Sequence, residues 1–171
     1  MVDNFKIDVG SLDTSEQSTF RTEVASLASG SAALAAQIDN TTNKFPAAWL
    51  KINLTTGTSP TNGNKIEIYV VNAMGGNPGS PHGASYGSNA TNWVTSNGAW
   101  TLLGDEVPID TITVDGTSNK EYSVVIPTEF IGPLGTTWGI VINNQTGAAL
   151  NATGSNHDFQ FQGYFPTKET V

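Results

Sequence analysis

Ala48-Trp49-Leu50-Lys51-Ile52-Asn53-Leu54-Thr55-Thr56 is the stretch that decides the fold. Ala48, Leu50, Ile52 and Leu54 take every second position, and Trp49, Lys51, Asn53 and Thr55 fall between them. Successive side chains of an extended strand point to opposite faces, so this is a half-buried strand of an antiparallel sheet. The same period of two recurs on both sides. Upstream, Ala32, Leu34, Ala36 and Ile38 alternate until Asp39-Asn40-Thr41-Thr42-Asn43 ends the run. Downstream, the turn Gly57 to Asn64 leads into Ile66, Ile68 and Val70. Strands are predicted over 99–105 and 109–114 around Pro108, then through Tyr122, Val124 and Ile126 up to Pro127. Trp138 to Asn143 is more continuously apolar and predicts a central strand; Ala148 to Thr153 and Phe159, Phe161, Gly163 follow. About nine strands divided by turn residues predict an all-β antiparallel sandwich, jelly-roll-like in type.

Residues 1–30 read differently and are taken as an N-terminal arm on a sandwich domain spanning 31–171. Phe5, Ile7 and Val9 alternate with Lys6 and Asp8, a short strand signal. Asp13-Thr14-Ser15-Glu16 resembles a helix cap, with Phe20, Val24 and Leu27 at helical spacing; Phe20, Thr22 and Val24 also alternate. Helix and strand both remain open for 12–28. The segment is thin in large apolar residues, so it leans on something else, either its own domain or a neighbouring subunit. One long irregular stretch, about 73–98, is rich in Gly, Asn, Ser and Pro and carries His82, Tyr86 and Trp93. Loops of that length inside a compact domain are uncommon and usually functional.

Composition narrows the function. The chain has 171 residues, seven Lys+Arg against fifteen Asp+Glu, a formal net charge of −8 and no cysteine. Thr, Gly, Asn and Ser together make 70 of the 171 residues, so the solvent face is neutral and polar. An acidic chain with scattered cations lacks the footprint of nucleic-acid binding. Without Cys there is no thiol catalysis, iron–sulfur cluster or thiolate zinc site. No positive segment leads into an apolar core at the N-terminus, and Val24 to Ile38 is too short and Ala/Ser-rich for a membrane span.

Chemistry-bearing constellations are weak. Ser80, Ser85 and Ser88 lie near His82, but no G-x-S-x-G elbow is present. Asp105, Glu106 and Asp110 flank Pro108, where solvated turn carboxylates are ordinary; a glycosidase would need two of them facing across a cleft. Asp115-Gly116-Thr117-Ser118-Asn119 has oxygen ligands but no carboxylate at the twelfth position of a calcium loop, and an Asx turn explains the same residues. His157-Asp158 is one His beside one Asp. No enzyme, metal or cofactor is expected. The four tryptophans matter more: Trp138 reads as core, Trp49 faces away from Leu50 and Ile52, and Trp93 and Trp100 bracket the end of the long loop. Exposed aromatics in a neutral loop stack on sugar rings or anchor protein contacts; the alternative is that Trp93 folds back and staples the loop onto the sandwich.

The phrases Ile38-Asp39-Asn40-Thr41-Thr42-Asn43, AWLKINLTT (48–56, preceded by Ala47), IEIYV (66–70) and Trp138-Gly139-Ile140-Val141-Ile142-Asn143-Asn144-Gln145-Thr146-Gly147-Ala148-Ala149-Leu150 follow one another in this order. Together they resemble small β-sandwich virion proteins of tailed bacteriophages over about residues 31–165. The resemblance implies a structural protein of the capsid-decoration (cement) type, made in the host cytoplasm and carried on the capsid surface. Its partners would be the major capsid protein and copies of itself, a trimer being the symmetry expected of the class. The longer 73–98 loop departs from the family's pattern. Candidate partner contacts are Phe5, Ile7, Phe20, His82, Tyr86 and Trp93. The rival reading is a tail-associated or carbohydrate-binding adhesin that stacks a glycan on Tyr86 and Trp93.

Overall fold

A computed structural model describes residues 4–74, 77–78, 99–100, 107–129 and 133–169, the backbone alone at 4–6, 72–74, 77–78, 99–100 and 166–169. In chain order the elements are β1 (Asn4–Val9), α1 (Gln17–Val24), β2 (Ser31–Asp39), β3 (Ala47–Thr55), β4 (Lys65–Met74), β5 (Asn77–Pro78), β6 (Ala99–Trp100), β7 (Asp110–Thr113), β8 (Glu121–Pro127), β9 (Thr137–Gln145) and β10 (Asp158–Glu169). One sheet has the order β1-β10-β3-β8; in the other, β7 and β5 flank β4, followed by β9, β2 and β6. All pairings are antiparallel. Setting aside the two-residue pieces β5 and β6, eight strands build two four-stranded layers. Numbered in chain order, those eight run 1-8-3-6 in one layer and 2-7-4-5 in the other. All but one connection therefore cross between layers, which is the topology of a jelly roll.

Alternation places the core between the layers. Leu50, Ile52 and Leu54 on β3 and Phe159 and Phe161 on β10 face Ile66, Ile68 and Val70 on β4 and Trp138, Ile140 and Ile142 on β9, all buried. Trp138 meets Phe161 edge-on, with ring centroids 5.3 Å apart. The continuous apolarity of β9 has a plain cause: its other face is shielded too. There Val141 joins Ala32, Leu34, Tyr69 and Val71 in a second buried cluster. Beside that cluster the face turns polar. Tyr69 Oη and Asn143 Nδ2 both donate to Glu67 Oε2, at 2.9 and 2.8 Å, and Gln145 Nε2 donates to Asn143 Oδ1.

The N-terminal segment is built into the sandwich. β1 is the edge strand beside β10, paired from Asn4 opposite Glu169 to Val9 opposite Tyr164. Of the two readings of 12–28, the structure takes the helix. Phe20 and Val24, four apart, are fully buried, and the Phe20 ring stacks on Phe159 at 5.4 Å. Asp13 does not cap the helix; its carboxylate accepts the Ser15 N–H at 2.7 Å and shapes the turn before it. Arg21 anchors the helix to β10: Nε donates to the His157 carbonyl at 3.0 Å and Nη2 to Asp158 Oδ1 at 3.2 Å.

Two strand expectations need correction. Eight strands, rather than about nine, form the layers. Ala148–Thr153 is a loop touching the sheets through one bridge, Leu150 to Thr56. Scattered backbone bonds to Leu27, Thr55, Gly57 and Ser26, with side-chain bonds beside them, stand in for a ladder there. Asn144, fully buried at the end of β9, donates to Leu27 O and Ala148 O and accepts from Thr146 N–H and Thr146 Oγ1, which uses all four of its sites. In the strand expected over 99–105, the described part is Ala99–Trp100, paired with Ala33 and Ala32.

Candidate functional site

Among the described residues, four of the six large apolar side chains that stay exposed lie on the outer face of the sheet β1-β10-β3-β8; Leu12 and Val107 lie outside its strands. Side chains opposite one another in an antiparallel pair share a face. The register places Trp49 beside Gln162 and Pro127, Ala47 beside Tyr164, Tyr164 beside Val9, and Lys51 beside Val125. Ile7 lies two residues from Val9 on the same face. Thus Ile7 and Val9 on β1, Tyr164 on β10, Ala47 and Trp49 on β3 and Pro127 and Val125 on β8 form one band across the sheet. Four of its members stay open to solvent: Ile7 is 55 % exposed, Val9 47 %, Trp49 39 % and Val125 69 %. The other half of the face is polar, with Lys51, Gln160, Asn53, Asp158, Ser123 and Glu121.

The band is held rigidly. Trp49 leans on Tyr164, ring centroids 5.2 Å apart, and Gln162 Nε2 fixes β10 to Gly10 O at 2.9 Å. Tyr164 is 5 % exposed, yet its hydroxyl makes no hydrogen bond of normal geometry, and neither does the buried Asn53 Oδ1 on the same face. Burial, and then the nearby Glu129 carboxylate, push the Tyr164 phenol above its ordinary pKa, so it stays protonated as a donor. An apolar band beside a polar field is the anatomy of a protein-docking surface.

At the far end of the sandwich the loops enclose an open depression of about 470 Å³, lined by Ser26, Thr58, Asn119, Asn151 and Thr153 among others. It holds neither charge nor ring. Beneath it His157 is fully buried. Its Nδ1 accepts the Thr55 N–H at 3.2 Å, which makes Nε2 the protonated nitrogen, donating to Asn151 O at 2.9 Å. Burial lowers its pKa. With both ring nitrogens committed to backbone, His157 has no lone pair for a metal or a substrate. Asp115 makes the Asx turn, accepting the Thr117 N–H at 3.1 Å. Its carboxyl is held well below the usual range by the Lys120 ammonium first, then by the Tyr122 hydroxyl. Among the described residues no three His, Asp or Glu side chains come together as a metal site, and no helix is long and apolar enough to cross a membrane.

The candidate contacts fare unequally. Ile7 sits on the exposed band. Phe5 is on β1 at a position matching Ile7, and its side chain lies outside the described residues. Phe20 is corrected: helix spacing turned it into the core against Phe159, where no partner reaches it. His82, Tyr86 and Trp93 lie outside the described residues, as do 75–76, the rest of 79–98, Asp105 and Glu106. Sequence reasoning passed over Val9 and Val125 as docking residues. Their signal was present in the alternation, but assigning the outer face needs the strand partners.

A comparison with protein-family models, with curated proteins and with solved structures found no match. The likeness to phage virion proteins therefore rests on the sequence phrases.

Proposed function

We propose that this chain is a non-catalytic structural protein of a tailed-phage virion, a capsid decoration protein that lays the outer face of its four-stranded sheet on the shell. The observation that carries the reading is the exposed band Ile7–Val9–Trp49–Val125. A soluble monomer gains nothing from four open apolar side chains in one row, whereas an interface core is built from such a row with a tryptophan near its centre. The polar half of the face, with one cation (Lys51) against two carboxylates (Asp158 and Glu121) and three neutral side chains, suits hydrogen bonding to another protein rather than attraction to nucleic acid. The order of the sequence phrases selects the virion among the assemblies in which such a face would serve.

The test is co-sedimentation with shells of the phage that encodes the chain, prepared without it. Saturable binding of the natural protein is expected. Trp49→Ala should weaken it at least about 30-fold, the equivalent of about 2 kcal/mol at an interface centre, and Ile7→Ser should weaken it less. Absence of binding by the natural protein overturns the reading, as does unchanged affinity in both variants.

A further inference from the structure

Among the described strands β8 is an edge of its sheet, with no strand on its outer side. Thr56 N–H donates to Lys120 O at 3.0 Å and Thr128 N–H to Ala48 O at 2.9 Å, which frames the ladder between β3 and β8. Hydrogen-bonded and non-hydrogen-bonded pairs alternate along an antiparallel ladder. Tyr122, Val124 and Ile126 therefore spend their backbone groups on Leu54, Ile52 and Leu50. Glu121, Ser123 and Val125 turn their N–H and C=O groups away from the sheet. No described strand takes them up.

Proteins usually blunt such an edge with lysine, proline, a bulge or a covering segment. From Tyr122 to Ile126, β8 has no charge, no proline and no break in register. Ser123 and Val125 are exposed. Tyr122 and Val124 pack against the core but are only partly buried, as fits the edge of the described sheet.

We infer that the β8 edge pairs antiparallel with the β8 edge of a second copy of this chain, joining two four-stranded sheets into one of eight. The strand's own pattern selects that occupant. A two-fold axis beside Val124 sets Ser123 opposite Val125 of the other copy, and Val125 opposite its Ser123. Both pairs then consist of residues whose backbone groups are free. Val124 meets its own mate in the closely spaced pair between them, covering the two half-buried valines. Pro127, which has no N–H to give, falls opposite Glu121 at each end of the paired stretch, where a missing donor interrupts nothing. The two Glu121 carboxylates are then about 20 Å apart at 3.4 Å per residue, beyond the screening length of physiological salt. The pairing uses the strand's edge, not the sheet's outer face, so it stands independently of the shell reading.

The experiment is light scattering across a concentration series with the full chain, joined to amide hydrogen exchange. The natural protein should reach twice its 18.0 kDa mass at tens of micromolar. The Ser123 and Val125 amides should exchange slowly in the dimer and fast on dilution. Val125→Pro removes only an outward N–H, a place where an edge strand tolerates proline; it should raise the dimer dissociation constant at least about 100-fold. Val125→Lys should do the same should the proline variant fail to fold. The chain has no cysteine, so Val124→Cys should give one disulfide-linked dimer on oxidation, its Cα atoms standing at the short distance of a non-hydrogen-bonded pair. A monomer at millimolar concentration overturns the inference. So does a dimer that both Val125 variants leave intact, or one in which Val124→Cys stays uncrosslinked.

Discussion

Replacing Phe20 by alanine asks whether the first thirty residues are an appendage or part of the fold. Phe20 is fully buried, stacks on Phe159 and shares its pocket with Val24. Withdrawing its ring from the core loses about 2–3 kcal/mol of transfer free energy. The space left, on the order of 100 Å³, adds about 2 kcal/mol if the sandwich does not close over it. Loss of the ring pair contributes about another 1 kcal/mol. Partial relaxation brings the expected cost to about 3–5 kcal/mol, a large share of the stability of an ordinary domain. An eight-residue helix has no stability of its own to offset this. Equilibrium urea unfolding followed by tryptophan fluorescence measures the loss, and Ile7→Ser, an exposed change on the same segment, should change the unfolding free energy by no more than about 0.5 kcal/mol. If Phe20→Ala costs under about 1 kcal/mol with an unchanged denaturant slope, the segment is a detachable arm and the packing argument is wrong.

Further expectations follow from the same contacts. His157 is buried as the neutral imidazole, so its pKa is lower folded than unfolded. The unfolded chain then binds a proton more readily as pH drops below about 6.5, and folding stability should fall between pH 7 and 5. The charged groups beside this region are Arg21, on the His157 carbonyl, and its partner Asp158. His157→Gln should flatten this part of the stability–pH curve in thermal melts, whatever its effect at pH 7. Asn144→Ala strands the Thr146 amide and takes one of two donors from each of the Leu27 and Ala148 carbonyls, and should cost about 1–3 kcal/mol by chemical denaturation. A Cβ on Gly163 would overlap the Phe45 ring. Gly163→Ala should therefore cost about 1–3 kcal/mol, and a double-mutant cycle with Phe45→Ala should recover part of it.

The layers were legible because alternation is a local property: Leu50, Ile52 and Leu54, or Ile66, Ile68 and Val70, declare their buried face without reference to partners. The helix was ambiguous because Phe20 and Val24 satisfy two periods in so short a run, and only Phe159, far along the chain, decides between them. Ala148–Thr153 was misread because its backbone bonds are scattered over Leu27, Thr55, Gly57 and Ser26 and completed by the side chains of Asn144, Thr146 and Asn151, none of which the sequence of the segment announces. The docking band was the least visible feature. Its members come from four strands, and their adjacency exists only after β1, β10, β3 and β8 are laid side by side.

The pairing of Asn4 with Glu169 has a consequence for how the molecule is made. β1 is synthesised early and its ladder partner, β10, last among the described strands. Throughout the intervening translation Ile7 and Val9 wait beside unpaired backbone, and Phe20 waits for the Phe159 that will cover it. Contacts this distant along the chain are slow to form. The growing polypeptide thus carries a sticky leading strand until its trailing one emerges, which makes the nascent chain, rather than the finished sandwich, the stage at which crowded copies are most prone to misassemble.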